Sequence, residues 1–417
     1  MTLPDQLRNH PLVLFPGFRN FFIGSILAAV AARYFAIAIA WWLISQAGDN
    51  GEKLGILMAM EALPIFLLSP FVGPLIDRYN KKSCILLGVF MQFSFLALIV
   101  WLLAYDKLSF PALVALSFSM CCFMPQVEGS ISAAVAKLVD DERLPSAVAL
   151  QSSIIEFSNI IAAVLSTAVI AAAGILEALY LNLALYVGGI LFLFLINVDL
   201  SAEPGNAAGK SDYLKELKRG LAYIWNYQEL RLFGVVYGCS AFFILPIFIM
   251  IPLLVKNVLY ETVTWVAVLE TSFSVGAVAM TAGLSFRHQY RNFYNKYAVV
   301  LALTAIAMIV SGTGAHPYLV AASMVVMGAM FAAMLALSNT LFQLTVPQDL
   351  KGRFFGLVTT IIAGTAPLSY MFVGFISDWL GINWVMAVSG TGLLLLTGSV
   401  LFIPRLRQHI GYDDDIG

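Results

Sequence analysis

The stretch GPLIDRYNKK, residues 73–82, decides how the rest of the chain is interpreted, because an apolar run ends there in a group of charges. Gly73 allows two helices to approach closely, and Asp77 can accept hydrogen bonds from the first turn of a neighbouring helix. The basic residues that mark the cytoplasmic side of a membrane protein follow at once: Arg78, Lys81 and Lys82. The stretch therefore predicts a tight, positively charged turn between two membrane-spanning helices.

The composition excludes a soluble protein. Of the 417 residues, 60% are hydrophobic and 11% are charged, whereas soluble domains carry about 25% charged residues. The net charge is −1 and no basic tract is present, so nothing indicates a nucleic-acid partner. The four cysteines have no metal-ligand spacing, and we expect no metal site. The first twenty residues lack the features of a cleaved signal peptide, so we expect the first apolar run to be retained as a span.

Apolar runs of about 20 residues can cross a bilayer, and the sequence contains twelve of them. They are 18–46, 54–76, 83–104, 110–136, 146–172, 177–198, 230–255, 262–285, 295–314, 317–342, 354–378 and 384–403. The long polar break at 199–229 begins as a Pro-, Gly- and Ala-rich linker and continues with basic and aromatic residues at helical spacing, which predicts an amphipathic helix. The predicted organisation is six spans in 1–198, this linker, and six spans in 230–417.

The distribution of lysine and arginine residues determines the predicted orientation of the chain in the membrane. With the N-terminus inside, 19 of the 23 basic residues lie on the cytoplasmic side, three lie outside and Arg33 lies within a span. This asymmetry follows the positive-inside rule. We therefore expect both termini to be cytoplasmic.

The two halves of the chain resemble each other. GLSFRHQYR (283–291) follows the eighth span as residues 73–82 follow the second, and TVPQDLKGRFFGL follows the tenth span as LVDDERLPSAVAL follows the fourth. Internal repeats of this kind are common in transporters. The predicted fold class is an all-α membrane protein with 12 transmembrane helices in two pseudo-symmetric six-helix bundles.

Five charged residues lie inside predicted spans, where a charge is costly unless it faces the bundle interior or water. They are Arg33, Glu61, Glu128, Glu156 and Glu270. Arg33 lies near the middle of the first span and requires a carboxylate, for which the central position of Glu156 makes it the first choice, ahead of Glu128 and Glu61. Such a pair either holds helices permanently in register or opens when a proton or charged substrate binds.

Glu270 is the only hidden charge of the second half and has no basic residue beside it in that half. It is therefore either a proton carrier or a permanently neutral side chain. Four neutral polar residues either line the same path or form hydrogen bonds between helices: Gln151, Asn159, Asn339 and Gln343. Aromatic residues in spans one and seven would suit an amphipathic ligand, although such residues also pack against lipid.

The pattern G-x-x-x-D-R-x-x-[RK]-[RK] in residues 73–82 resembles the loop 2–3 signature of the major facilitator superfamily. FMPQVEGSISAAVAKLVDDERLPSAVALQ (123–151) resembles its third drug:proton antiporter family, which includes macrolide-efflux and enterobactin-exporter types. FRNFFIG, LKRGLAYIWNYQELRLF and VPQDLKGRFFGL also resemble that family, so the resemblance covers nearly the whole chain. It implies the major facilitator fold, in which helices 1, 2, 4, 5, 7, 8, 10 and 11 line the cavity; all five hidden charges lie on these helices.

Two departures from the family pattern affect the expected site. Drug exporters often carry an R-x-x-Q-G motif in span four, where this chain has Pro125 and Glu128–Gly129. Relatives often have an acidic residue in the middle of span one, where this chain has Ala32 and Arg33. An arginine-assisted proton relay therefore does not carry over, and Arg33 instead indicates an anionic or zwitterionic ligand.

The resemblance implies a proton-coupled exporter of an amphipathic small molecule, such as a drug or siderophore, that works by alternating access in the bacterial inner membrane. It implies no cofactor besides the proton gradient, and a monomer. A latch would close the cytoplasmic side between the signature loop and the start of span eleven; its predicted members are Gly73, Asp77, Arg78, Lys81, Gly352 and Arg353.

Other functions remain open. The chain could be a lysophospholipid transporter or flippase, or an importer of an amino acid, peptide or organic anion. A membrane sensor is a further class, but an appended soluble domain would be expected. We do not expect an enzyme, because the sequence has no nucleophile–base pair, metal cluster or phosphate loop.

Overall fold

The structure is a computed structural model, and it describes residues 10–46, 51–198, 200–201, 228–285, 293–314, 316–346 and 351–401. The regular structure in these ranges is helical. The helices are α1 (Pro11–Leu14), α2 (Pro16–Ser45), α3 (Gly51–Arg78), α4 (Lys81–Ala104), α5 (Phe110–Cys121), α6 (Met124–Ala134), a 3₁₀ turn (Val135–Lys137), α7 (Leu144–Ala173), α8 (Ile175–Phe194), α9 (Gln228–Ile244), α10 (Ile247–Asn257), α11 (Thr264–Ser285), α12 (Phe293–Thr313), α13 (Pro317–Thr345), α14 (Lys351–Leu380) and α15 (Ile382–Leu401).

The predicted spans coincide with these helices. Ten helical stretches among the described residues are long and apolar enough to cross a membrane. The second predicted span lies in α3, and the twelfth lies in α15, whose apolar part, Ile382–Gly398, is shorter. The amphipathic helix predicted within the 199–229 break lies outside the described residues.

Prolines and glycines set the breaks between helices. Span four is divided into α5 and α6 beside Pro125, and span seven is divided into α9 and α10 at Pro246, because proline lacks the N–H that continues a helical ladder. Gly174 ends α7 with a φ of 105°, and Gly381 separates α14 from α15 with a φ of 81°. Glycine adopts these left-handed values without a steric cost.

The described residues divide into two compact units. The first unit comes from 1–42 and 60–208, and the second comes from 43–59 and 209–417. The boundary differs in one respect from the predicted halves, 1–198 and 230–417: the end of α2 and the first two turns of α3 group with the second unit.

In the first unit, α2 and α8 pack at backbone distance. A Cβ added to Gly24 would lie 3.0 Å from the Leu193 nitrogen, and one added to Gly189 would lie 3.3 Å from the Gly24 carbonyl oxygen. Small residues at a helix crossing allow such an approach, and van der Waals packing between helices is what drives their association in lipid.

In the second unit, a buried aromatic cluster joins α9, α12, α13 and α14. Its members are Phe233, Tyr237, Tyr297, Phe342 and Phe354. Adjacent ring centroids lie 4.9–6.4 Å apart, which is the range of favourable ring pairs. Elsewhere in this unit, Gly276 on α11 and Gly328 on α13 each face a backbone carbonyl of the other helix, those of Val325 and Phe273.

Candidate functional site

In the first unit, Arg33 on α2 and Glu61 on α3 lie within electrostatic range of each other. The guanidinium of Arg33 acts electrostatically on the carboxylate of Glu61. Glu156 is the first choice from the sequence as the partner of Arg33, ahead of Glu61, but in the structure Arg33 acts on Glu61 and also has a further polar or electrostatic contact. Two opposite charges brought together offset part of the cost of removing each from water.

Polar groups of α5 and α8 surround this pair. The Ser117 hydroxyl lies near the Glu61 carboxylate, and the Cys121 thiol is close enough to interact electrostatically with it. Glu61 Oε1, Ser117 Oγ and the Tyr186 hydroxyl are buried and have no hydrogen bond of good geometry to another described residue. Buried polar atoms are normally satisfied, so this cluster has spare capacity to bind a proton or polar group.

Two further carboxylates of the first unit lie on its surface. Glu128 on α6 and Glu156 on α7 are both exposed, although both helices belong to stretches that can cross a membrane. A charged side chain in the middle of a span faces protein or water and not lipid. We therefore expect these two residues to lie on the part of the first unit that faces water or protein and not lipid.

Glu128 and Glu156 also lie at nearly the same depth. Gln151 Nε2 on α7 donates to Ser132 Oγ on α6 at 3.2 Å, and consecutive spans run in opposite directions. At a rise of about 1.5 Å per residue, Glu128 lies roughly 6 Å beyond this contact and Glu156 roughly 7.5 Å beyond it in the same direction. Gln151 thus forms the helix–helix hydrogen bond that was one of its two predicted roles.

Glu270 lies on α11 in the second unit. It is 6% exposed and takes part in at least one polar or electrostatic contact; its two predicted roles, proton carrier or permanently neutral side chain, stay predictions. One turn later, Phe273 packs against Phe248 of α10 and Phe331 of α13, with both centroid distances at 5.8 Å. This carboxyl therefore lies one turn from a junction of aromatic rings.

The predicted neutral polar residues are distributed over both units. Asn159 is half-buried on α7, whereas Asn339 and Gln343 are exposed on α13. Their predicted role as lining residues stays a prediction.

The predicted latch is described only in part. Gly73 and Asp77 lie in α3, and Gly352 and Arg353 lie in α14, but their side chains are outside the described part of the structure. Arg78 is exposed at the last residue of α3.

Lys81 begins α4 and is 7% exposed. Its N–H donates to the Leu200 carbonyl at 3.0 Å. The basic end of the signature stretch thus packs against the segment that follows α8.

Two polar residues that the sequence reasoning passed over have well-defined partners. Asn182 on α8 is fully buried and contacts the backbone of α2. Asp378 near the end of α14 accepts hydrogen bonds from the N–H groups of Gly51 and Glu52, each at 2.8 Å. Both residues were visible as polar side chains in or at the edge of apolar runs, but their partners are backbone groups, which have no sequence signature.

Proteins with similar sequences are membrane transporters. The chain is 26% identical over 361 residues, 84% of both chains, to "Uncharacterized MFS-type transporter YfiS" of Bacillus subtilis (strain 168). It is 20% identical to "Macrolide efflux protein A" of Streptococcus pyogenes, covering 94% of this chain and 96% of that one. It is 18% identical to "Multidrug efflux pump Tap" of Mycolicibacterium fortuitum, covering 92% and 94%.

Solved structures with the same fold include the nucleoside transporter NupG, with a TM-score of 0.72 at 13% identity over 92% of this chain and 98% of that one. A bacterial homolog of the human lysosomal transporter Spinster, in an inward-facing and unoccupied conformation, has a TM-score of 0.73 at 12% identity, covering 94% and 97%. A sequence profile of the Major Facilitator Superfamily matches residues 21–366. The chain therefore belongs to the Major Facilitator Superfamily, and it is a multi-pass membrane transporter and not an enzyme.

Proposed function

We propose that this transporter is a proton-coupled exporter of an amphipathic small molecule, a drug or a siderophore, that works by alternating access. The observation that carries the proposal is the set of carboxylates within the spans of the first unit. Glu61 is half-buried near Arg33, with its Oε1 atom buried, whereas Glu128 and Glu156 are exposed. Half-buried and exposed carboxylates suit two different tasks, proton binding and ligand binding.

The charge of the ligand follows from the same residues. Arg33 is offset by Glu61, which weakens the expectation of an anionic ligand that the sequence raised. Glu128 and Glu156 lie at nearly the same depth on neighbouring helices, so their fields add and attract a positive group. We therefore propose that the exported molecule carries a positive charge on an apolar body.

Drug export has independent support in the two relatives that are named as efflux proteins, macrolide efflux protein A and the Tap pump. Siderophore export rests on the resemblance of residues 123–151 alone. We propose that the protein acts as a monomer in the bacterial inner membrane with both termini in the cytoplasm, in line with the distribution of its basic residues. No cofactor beyond the proton gradient is needed.

The test is transport into inverted vesicles or proteoliposomes under an imposed pH gradient. The panel contains macrolides and other amphipathic cations, catecholate and citrate-type siderophores, lysophospholipids, amino acids and organic anions. We expect uptake of a cation that collapses when the gradient is dissipated. Uptake of lysophospholipid alone, without pH dependence, would establish the flippase alternative, and flux in the opposite direction would establish an importer.

Two variants connect the activity to the carboxylates. Glu128→Gln and Glu156→Gln are each expected to lower transport of a cation by about tenfold, because each removes about 1.4 kcal/mol or more of attraction in a site of low dielectric. Glu177→Gln is the matched control, since Glu177 is an exposed glutamate in the first turn of α8. Full activity of both site variants would overturn the assignment.

A further inference from the structure

We propose that Asn182 is a positioning residue, which holds the turn of α2 that carries Arg33 so that the guanidinium faces Glu61. Asn182 lies on α8, a helix with no charged residue in its interior. The inference goes beyond the proposed function, and it rests on that function only for one of its two readouts.

The buried amide of Asn182 is joined to the backbone of α2. Asn182 is 0% exposed. With its amide oriented so that both of its groups are satisfied, Nδ2 donates to the Ala31 carbonyl oxygen at 2.9 Å and Oδ1 accepts from the Phe35 N–H at 3.2 Å. An amide buried in an apolar helix without such partners would be costly, so these contacts fix both side chain and helix.

The two backbone groups are the two ends of one rung of the helical ladder. In an α-helix, the N–H of residue 35 donates to the carbonyl of residue 31, and Asn182 bridges this donor and acceptor. Arg33 lies midway between them in the sequence. A side chain that binds both ends of a turn restricts its rotation about the helix axis and its translation along it.

A second contact on the same pair of helices sets the register. Gly189 on α8 faces the Gly24 carbonyl and the Ala28 nitrogen of α2, and a Cβ there would lie 3.3 Å from each. Two helical turns separate Gly189 from Asn182, and two turns separate Ala28 from Phe35. The close approach at the glycines therefore brings Asn182 to the level of the turn that contains Arg33.

Held in this way, Arg33 directs its charge to the cluster around Glu61. Arginine has a long and flexible side chain, and the direction of its Cα–Cβ bond decides which carboxylate it can reach. Rotation by a single residue position, about 100°, would direct it to a different helix. The pairing of Arg33 with Glu61 therefore depends on a contact made by a third helix.

The first experiment measures geometry and needs neither substrate nor proton gradient. In the full-length chain with its four cysteines replaced by alanine, Arg33→Cys and Glu61→Cys are combined and cross-linked in the membrane with a short bifunctional thiol reagent. Removing both members of a buried pair is often tolerated. We expect efficient cross-linking with Asn182, a severalfold loss with Asn182→Leu, and recovery with Asn182→Asp, whose protonated carboxyl has the same donor and acceptor.

The second readout is transport by the otherwise unchanged protein. Asn182→Leu is expected to lower the transport rate about tenfold, because misplacing a functional group by about 1 Å can lower a rate by up to about 10²-fold. Asn182→Asp is expected to retain most of the transport activity. Leu179→Ala is the matched control, since Leu179 is also fully buried on α8 and its truncation loosens packing without removing a hydrogen bond to the Arg33 turn. If Asn182→Leu fails to insert, Asn182→Ala is used instead.

Unchanged cross-linking in Asn182→Leu, or an equal loss in Leu179→Ala, would overturn the proposal. So would a failure of the two cysteines to cross-link in the presence of Asn182, because Arg33 would then not lie beside Glu61. If no substrate is transported while cross-linking responds as expected, the proposed function fails and the positioning role of Asn182 stands.

Discussion

The carboxylate of Asp378 caps the start of a helix distant in sequence: its Oδ1 accepts the N–H of Gly51 at 2.8 Å. Its Oδ2 accepts the N–H of Glu52 at the same distance. The first N–H groups of a helix have no partner within the helix, and the positive end of the helix dipole favours an anion. Asp378 thus supplies from α14 a cap for the first turn of α3.

Removing this cap is expected to destabilise the protein. Asp378→Ala should lower the free energy of unfolding by about 0.5–2 kcal/mol, the range measured for N-cap losses, and Asp378→Asn should lower it less. Thermal unfolding in detergent measures both. Asp106→Asn is the control, because Asp106 lies exposed in the loop after α4. Equal melting temperatures for Asp378→Ala and the unsubstituted protein would contradict the capping role.

One turn from this cap, Gly55 on α3 meets Gly374 on α14. A Cβ on Gly55 would lie 2.7 Å from the Gly374 Cα, and a Cβ on Gly374 would lie 2.6 Å from the Gly55 Cα. Both neighbours are backbone atoms and cannot move aside alone. Gly55→Ala and Gly374→Ala are each expected to cost about 1–3 kcal/mol, as overpacking does.

The control for this glycine pair is Gly234→Ala on α9, where an added Cβ would meet no atom within 4 Å. There the substitution should be neutral or stabilising by up to about 1 kcal/mol, because alanine favours the helix. The same thermal unfolding assay compares the three variants. A loss of stability in Gly234→Ala as large as in the pair would contradict the explanation by close packing.

Arg33 and Glu61 are expected to be coupled in stability. Arg33→Met or Glu61→Gln removes one of two half-buried opposite charges and should lower the free energy of unfolding by about 1–3 kcal/mol, less than the loss of a fully buried partner, whereas the double variant should be closer to the unsubstituted protein. A double-mutant cycle on unfolding measures the coupling. Arg143→Met serves as the control, because Arg143 pairs with Asp140 at an exposed position and such pairs contribute about 0–1 kcal/mol. Additive losses in Arg33→Met and Glu61→Gln would contradict the pairing.

The sequence determines where the helices lie better than which way their side chains point. Apolar length predicts each span because a bilayer requires about 20 residues, and all predicted spans contain helix. Glu156 was preferred for Arg33 on depth alone. Successive residues of a helix point about 100° apart, so a residue at the right depth can face the wrong way, and here Glu156 is exposed while Glu61 lies in the field of Arg33.

Contacts between a side chain and a distant backbone are the other limit of sequence reasoning. Asn182 and Asp378 could be recognised as polar residues in or beside apolar runs. Their partners, a rung of α2 and the first N–H groups of α3, are chemically the same at every position of the chain. Only the packing of α8 on α2, and of α14 on the start of α3, selects them.

Asp77 is expected to affect transport more than ligand binding, because we predict that it belongs to a latch and not to the binding site. Asp77→Asn should lower the transport rate severalfold and leave ligand-dependent thermal stabilisation, which reports binding by mass action, nearly unchanged. Asp141→Asn, at an exposed position between α6 and α7, should change neither quantity. Equal loss of transport and binding in Asp77→Asn would contradict the latch.

Unlike Asp77, Lys82 is expected to affect the stability of the fold and not the transport step. Its Nζ donates to the carbonyls of Phe194 at 2.9 Å and Ile196 at 2.7 Å, and it lies 5.3 Å from the Phe194 ring centroid. The Lys82 ammonium therefore supplies hydrogen-bond donors to carbonyls at the end of α8. Hydrogen bonds from a charged group contribute about 1.5–3 kcal/mol. Lys82→Met should lower the melting temperature, whereas Lys107→Met, at an exposed loop position, should not.

Lys82→Met and Asp77→Asn together divide the signature stretch into two parts. Once corrected for the amount of folded protein, Lys82→Met should keep a normal ratio of transport to binding, because its contacts lie within the first unit at the end of α8. Asp77→Asn should have the opposite effect: a normal melting temperature and a lowered ratio of transport to binding. If Lys82→Met lowers the ratio without lowering the melting temperature, then the basic end of the stretch also belongs to the latch, and its contacts with α8 are not its principal role.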